Sequence, residues 1–532
     1  MISLIPHSRQ RVSCSPTPWL DIIIPRDPGR VPTLWGPLGT RDNNQTQETP
    51  SSGGMKLTRP RRSRSFGLLH IVEEIKILRH LNGAGVAEDE GGSEIEGEGD
   101  GEAVWFSKEK LDWILSQTVI IVPCKDEELD VIRGVISKIP ACCLVILVSN
   151  SEGGPNDQYL QQVKMLRTLC RSSRRQFLAV HQKDPRAALA FRASGMTELL
   201  DPADGLIRNG KGEGMLLAIA VAAAFSPGRR RYVGFIDADN FDGNSAHEYC
   251  RAFAAGFAMC PPPEQEHSMV RLRWASKPKV RADGQLEFVP EGRCSQIVNS
   301  WLNRLFGPGR TNTTTTNNNN NNNNINNDDD DTMPLVSTGN AGEHAMTMDL
   351  ALKLRMAAGY AIEPFHFADL LERGYLSVLQ PGAQQRQPLN TCNHSKAPAA
   401  QPLQKPVRVL QIRTLSHHYH RPSGPDHIRR MWAAGLGAIY HNLAPYQGMP
   451  GSGPGGVSQL RRDMHQFAAE HGGVSHATGE LPRPRIYPAL EDADMDAFRG
   501  VMQASSLPTT LVVLGLGLND RPVQGLSYRA GT

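Results

Sequence analysis

Four short β-branched runs, separated by stretches of helical pattern, constrain this chain more than anything else in it. TVIIVP (118–123), CLVILVSN (143–150), FLAVH (177–181) and RYVGFID (231–237) each read as a buried strand. Between them, 127–138, 157–171 and 213–225 carry helical periodicity. Strands alternating with helices imply parallel βαβ units. The fold class expected is therefore α/β: a doubly wound, mostly parallel sheet with helices on both faces. Ligands of such sheets bind beyond the carboxyl ends of the strands. Polar residues stand at all four ends: Lys125 and Glu127, Asn150 and Ser151, Gln182 and Lys183, Asp237 and Asp239.

The rest of the chain is less regular. Residues 1–54 lack lasting periodicity and are rich in Pro, Gly, Asn and Gln, which predicts a disordered extension, or upstream sequence wrongly joined to a start at Met55. Leu68, Val72, Ile75 and Leu78 fall at helical spacing, so 66–80 reads as a helix. Strands are expected at 269–274, 285–289 and 407–414, and helices at 294–305 and 426–438. An acidic run (88–102) reads as a solvated loop, an Asn/Asp-rich run (312–331, within an insertion near 307–332) cannot pack and must loop outward, and a Gln/Pro-rich stretch (380–406) reads as a second insertion. Residues 441–532 hold Gly/Pro loops and two weak helical patterns.

Composition excludes several classes. The 57 Lys+Arg against 54 Asp+Glu leave a formal charge of +3, so no basic field favours nucleic acid. Nine cysteines without a C-x-x-C argue against a disulfide scaffold or zinc ribbon, and for a reducing compartment. No apolar run approaches the ~18–20 residues of a membrane helix. These features predict a soluble, cytoplasmic protein that needs neither membrane nor nucleic acid.

Five constellations could carry chemistry. In FIDADN (235–240), Asp237 and Asp239 flank one small residue at a strand end, where alternate carboxylates can converge on a hard divalent cation such as Mg²⁺ or Mn²⁺. An ordinary Asp-rich turn is the bland alternative. IRNGKGEGM (207–215) opens a helix with glycines that let backbone N–H groups approach an anion, and Lys211 adds a point charge. It matches neither a P-loop nor a Rossmann fingerprint, and a plain glycine turn would look similar. VPCKDEE (122–128) places Pro123, Lys125 and Glu127 at the first strand end. GNAGEHA (339–345) sets two glycines, an amide, a carboxylate and an imidazole ahead of an expected helix. SHHYHRPSGPDH (416–427) places His418 and His420 on one side of an extended segment, where an imidazole would complete a cation site. Each motif alone is weak. Together, at the carboxyl ends of one sheet, they outline a site for a sugar nucleotide held through a metal-bridged diphosphate.

The ordered series VPCKDE, LVSNSEGG, HQKDP, IRNGKGEGM, FIDADN, STGNAGEHAM, GYAIEPFHF and HYH resembles the mannosyl-3-phosphoglycerate synthases, retaining glycosyltransferases of GT-A fold. The resemblance covers roughly 55–440. It implies a transferase domain with a nucleotide-binding half near 115–245 and an acceptor-binding half near 246–440. It also implies transfer of mannose from GDP-mannose to 3-phosphoglycerate with a divalent metal, as a step toward mannosylglycerate, a compatible solute. On the same basis Asp237 and Asp239 look like the metal-positioning pair, with His418 or His420 beside them. Pro123, Lys125, Glu127, Asn150, Ser151, Lys183, Lys211, Gly212, Glu213 and Gly214 would lie on the donor side, with Lys211 on the diphosphate. Gly339, Asn340, Ala341, Glu343 and His344 would face the acceptor. Asp237 and Lys211 are the residues expected to act in catalysis. Another donor or product, such as glucosyl-3-phosphoglycerate, a nucleotidyltransferase, and a non-enzymatic scaffold all stay open, as does a homodimer.

Overall fold

The computed structural model describes residues 53–80, 103–152, 157–226, 228, 230–240, 243–280, 285–307, 334–379, 401–419, 424–446, 456–504 and 508–515. The expectations for 1–52, for the acidic run, for the Asn-rich run, for most of the Gln/Pro stretch and for His420 lie outside them. The strands are β1 (Met55–Thr58), β2 (Ser63–Phe66), β3 (Leu69–His80), β4 (Ala103–Phe106), β5 (Thr118–Cys124), β6 (Leu144–Ser149), β7 (Phe177–His181) and β8 (Tyr232–Phe235). They continue as β9 (His267–Arg273), β10 (Lys277–Val280), β11 (Leu286–Val289), β12 (His344–Thr347), β13 (Met356–Ala357), β14 (Val407–Arg413), β15 (Ile486–Tyr487) and β16 (Val512–Leu514).

Twelve of these form one sheet, in the order β16-β7-β6-β5-β8-β12-β9-β14-β3-β1-β4 with β2 beside β3. β7, β6, β5 and β8 are mutually parallel, as the βαβ reading requires. β12 then runs antiparallel between β8 and β9, and β9, β14 and β3 resume the original direction. Alternate strand residues feed opposite apolar layers: Val119 and Ile121 join one, Ile120 and Val122 the other. The first layer is covered by the helices Lys211–Phe225, Arg293–Phe306, Ile362–Leu371 and Pro425–Asn442, the second by Lys108–Leu115, Leu129–Lys138, Gln158–Ser173 and Gly243–Ala258. The helix Lys211–Phe225 is apolar on every side after its first turn and is buried from Gly212 to Ala222, which seats its N-terminus at the strand ends. Among the described residues no helix is long and apolar enough to cross a membrane.

Two local expectations are corrected. Residues 66–80 form no helix: Phe66 ends β2 and Leu69–His80 is strand β3. Its register against β14 slips between Ile71 and Glu74, so an extra residue enters the strand. Leu69 and Ile71 therefore join one apolar layer, while Val72, Ile75 and Ile77 join the other. The offset turns a period of two into an apparent helical spacing. Likewise GNAGEHA leads into a strand, β12, and the helix Met348–Lys353 begins only after it.

Candidate active site

The site is built at the carboxyl end of β8. Beyond β8, Ile236 and Ala238 enter the apolar layer while Asp237 and Asp239 stay partly accessible. The helix Lys211–Phe225 brings its first residue to the same place. Lys211 Nζ lies 2.8 Å from Asp237 Oδ1 and 2.8 Å from Glu363 Oε1, and it donates to Asp237 Oδ2 at 2.9 Å. An ammonium has three hydrogens, so these three oxygens use all of them. Burial disfavours its charge, but the two carboxylates outweigh burial and hold Lys211 protonated well above the usual lysine range. The loop before β12 passes close by. A Cβ on Gly342 would fall 2.4 Å from Asp237 Oδ2, so only glycine lets this backbone approach the pair.

Around this centre lies a ring of buried and half-buried ionisable groups. Glu343 is fully buried and accepts a 2.9 Å hydrogen bond from Trp274 Nε1. Among the described residues nothing donates a hydrogen bond to its Oε1. Burial, aided by the charge of Asp237, pushes Glu343 up to about 8, and Asp239 is pushed up to about 6 by burial and the same neighbour. Glu127 rises to about 7, chiefly through burial. Burial draws Lys277 down to about 8 against the pull of Asp239 and Glu343. His418 stacks flat on Trp274, ring centroids 3.7 Å apart, with Nδ1 4.0 Å from Glu343 Oε1. Burial, reinforced by Lys277 and Lys211, holds His418 neutral, well below the ordinary imidazole range.

The sequence-derived candidates divide by place. Asp237, Asp239, Lys211, Glu127, Glu343 and His418 meet in one electrostatic cluster. Glu213 is spent differently: its carboxylate accepts from Gly359 N–H at 3.0 Å and from the Tyr487 hydroxyl at 2.8 Å, and so ties the glycine loop to the β13–β15 ladder. Gly212 packs under Ala357, where a Cβ would lie 2.1 Å from its carbonyl oxygen, and Gly214 faces Gln182. His344 is buried. Its Nδ1 bonds the Ala341 and Gly342 carbonyls at 3.1 and 3.0 Å, and its ring stacks on Phe235, so it braces the turn that carries Gly342. The Gly339 N–H donates to Asn299, Ala341 is buried, and Asn340 is half-buried between them. Lys183 pairs with Asp204 at 3.1 Å. The Asn150 N–H donates to Cys124 O, and Ser151 Oγ accepts from the Asp126 N–H at 3.0 Å. Pro123 lies within β5, and the Lys125 N–H donates to Glu127.

Sequence reasoning gave no role to Glu363, Trp274, Lys277 or Arg271. Arg271 is fully buried and donates to the carbonyls of Thr338, Gly339 and Glu363 at 2.9, 3.5 and 3.2 Å, joining the loop before β12 to the segment that presents Glu363. Glu363 stands in the quoted GYAIEPFHF motif, and its helix is buried on all sides, so periodicity singles out no residue in it.

Strand-end carboxylates, a glycine loop at a helix N-terminus and a shielded cation describe a group-transfer site of the α/β class. The profile of the mannosyl-3-phosphoglycerate synthase family matches residues 59–502, and the chain belongs to that family. A mannosyl-3-phosphoglycerate synthase of Pyrococcus furiosus is 34% identical over 418 residues, covering 77% of this chain and 89% of that protein. One from Aeropyrum pernix is 31% identical over 339 residues, covering 64% and 76%. Among solved structures, a mannosyl-3-phosphoglycerate synthase of Rubrobacter xylanophilus is similar at 14% identity and a TM-score of 0.38, covering 72% of this chain and 93% of its own.

Proposed function

We propose that this chain moves mannose from GDP-mannose to 3-phosphoglycerate, giving mannosyl-3-phosphoglycerate and GDP. The relatives' shared activity supports the reading. The observation that carries it is the Asp237–Lys211–Glu363 cluster with Asp239, placed where a parallel sheet presents its ligand end. The bond from the sugar's anomeric carbon to the diphosphate breaks, and a bond from that carbon to the acceptor hydroxyl oxygen forms. Retention requires either a covalent carboxylate intermediate or attack from the leaving-group face. Asp237 is tied at both oxygens to Lys211, which disfavours it as a free nucleophile and favours same-face attack, with the acceptor proton passing to the departing diphosphate.

The donor set fits a hard divalent cation. Asp239, Asp237 and His418 would supply oxygen and nitrogen ligands, and the buried Glu343 Oε1, which accepts no hydrogen bond among the described residues, is an orphaned polar atom beside them. Among the described residues no three such side chains are already gathered at one point, so ligation requires Asp237 to share or release Lys211. When bound, a divalent cation supplies charge neutralisation for the leaving diphosphate. The protein's own part is to hold Lys211 charged, to orient Asp237 through it, and to shield Glu343 from water beside the half-buried Trp274. A cytoplasmic location belongs to the same reading, supported by nine cysteines without a C-x-x-C. The test is incubation of purified protein with GDP-mannose or GDP-glucose, 3-phosphoglycerate and Mg²⁺ or Mn²⁺, followed by mass spectrometry. Mannosyl-3-phosphoglycerate with GDP is the expected product. Preference for the glucosyl donor, or no transfer, would overturn the assignment.

A further inference from the structure

The last described strand, β16, follows the family-matched region, which stops at residue 502. It pairs antiparallel with β7, Val512 opposite Ala179, so the residues just before it lie at the carboxyl end of β7, the end where ligands bind. There Thr510 sits at a junction. Its hydroxyl accepts the His181 N–H at 3.0 Å and donates to Asp184 Oδ2 at 2.7 Å. Its N–H also donates to Asp184, and its carbonyl accepts from the Tyr159 hydroxyl at 2.6 Å. Thr509 Oγ1 donates to Asp184 at 2.9 Å. Asp184 is fully buried and caps the helix Pro185–Ala193 through the Ala187 N–H.

The residues held this way reach both donor-side loops. His181 Nδ1 accepts the Lys183 N–H, so Nε2 carries the proton, and it bonds Ser151 O at 2.9 Å. Gln182 donates from its side chain to the Arg208 and Gly210 carbonyls at 2.6 and 3.1 Å, the backbone that turns into Lys211. One hydroxyl thus fixes β7, and the end of β7 fixes the loop of Ser151 and the glycine loop together. We infer that Thr510 is a positioning residue for nucleotide binding, acting through His181 and Gln182, and that the C-terminal strand is a strap across the donor end. The inference rests on the proposed function in taking the ligand to be a nucleoside diphosphate and the loops of Ser151 and Lys211 to be its donor side.

The geometry dictates the test. The Thr510 hydroxyl must both donate and accept, so serine can replace it and valine cannot. GDP and 3-phosphoglycerate affinities are measured by calorimetry on the full chain for wild type, Thr510→Val, Thr510→Ser and Tyr159→Phe, with thermal melts for each. Thr510→Val is expected to weaken GDP about tenfold, the fold-change that the net worth of one hydrogen bond converts to. Its 3-phosphoglycerate affinity should not change, and Thr510→Ser should restore GDP binding. If the valine variant fails to fold, Tyr159→Phe decides, with a smaller loss confined to GDP. Unchanged GDP affinity, equal losses for both ligands, or no rescue by serine would overturn the inference. Failure of the wild type to bind GDP would instead remove the proposed function, and the strap's role with it.

Discussion

The two sides of the strand-end surface are held together by different chemistry. On the β6–β7 side the loops are fixed by hydroxyls, amides and backbone groups: Ser151, Gln182, His181 and Thr510, the last donating to the buried Asp184. On the β8–β12–β9 side they are fixed by charge: Lys211 between Asp237 and Glu363, Glu343 beneath Trp274, Arg271 on three carbonyls. The first arrangement can be rebuilt by any group of the right donor–acceptor type. The second depends on charges that neutralise one another away from water, so removing one strands the others. The hydrogen-bonded side therefore grips, and the side built on ion pairs is primed to respond to a cation or to developing charge.

The largest effect should follow from breaking the charged side at its centre. Lys211→Ala should lower kcat by roughly 10²–10³-fold and, by stranding Asp237 and Glu363, destabilise the fold by about 3 kcal/mol. Adding Glu363→Gln should recover stability without recovering turnover. Steady-state kinetics beside chemical denaturation separate the two, and recovery of both would reduce Lys211 to a structural role. Asp239→Asn should cost roughly 10²-fold in Mn²⁺-supported turnover while leaving the melting temperature of the metal-free protein unchanged or higher, because it removes a carboxyl pushed up to about 6 by burial and Asp237. Undiminished Mn²⁺-dependent rates would remove it from the cation site. Gly342→Ala should place a methyl against Asp237 and lower kcat about tenfold, at about 1–3 kcal/mol of stability. A normal rate would show that the loop yields.

A pH series sharpens the comparison without mutation. Glu343 at about 8, Glu127 at about 7 and Asp239 at about 6 all lie above their values in an unfolded chain. The folded state then holds more protons, so stability is greatest below the unfolded carboxylate range and falls as pH rises toward 8. The melting temperature of the metal-free protein should drop between pH 5 and pH 8, and Mn²⁺ should reverse the drop. A flat profile would show that these carboxylates are not held protonated. The smallest effect should come from deleting 312–331, a run of Asn, Thr and Asp with one apolar residue, Ile325; specific activity should change less than about twofold.

The parallel unit was legible because β5 to β8 are short, mostly apolar runs whose residues enter apolar layers on both faces, and their ends pointed to Asp237, Asp239 and Ser151. β3 was not, because one extra residue shifts its alternation into a helical disguise. β12 was missed because four residues between two glycines and a helix carry too little pattern. The partners of Lys211 stayed hidden for a different reason. Glu363 lies 152 positions away by its number, on a helix with no exposed face, and only the fold brings them together. The strap was invisible because β16 has three residues and its energy lies in the threonines before it.

The place of β3 in the sheet has a consequence in time. β3 ends at His80, yet its parallel neighbour β14 begins only at Val407. At about 5–20 residues per second, a ribosome needs on the order of tens of seconds to supply that partner. The unit from β5 to β8 can close on itself early, from local crossovers. The β1–β4 group must wait with one hydrogen-bonding edge of β3 open, and an open edge invites pairing with another chain. Aggregation during synthesis should therefore begin at β3, and a slowed passage through 81–406 should worsen it more than a slowed passage through 441–515.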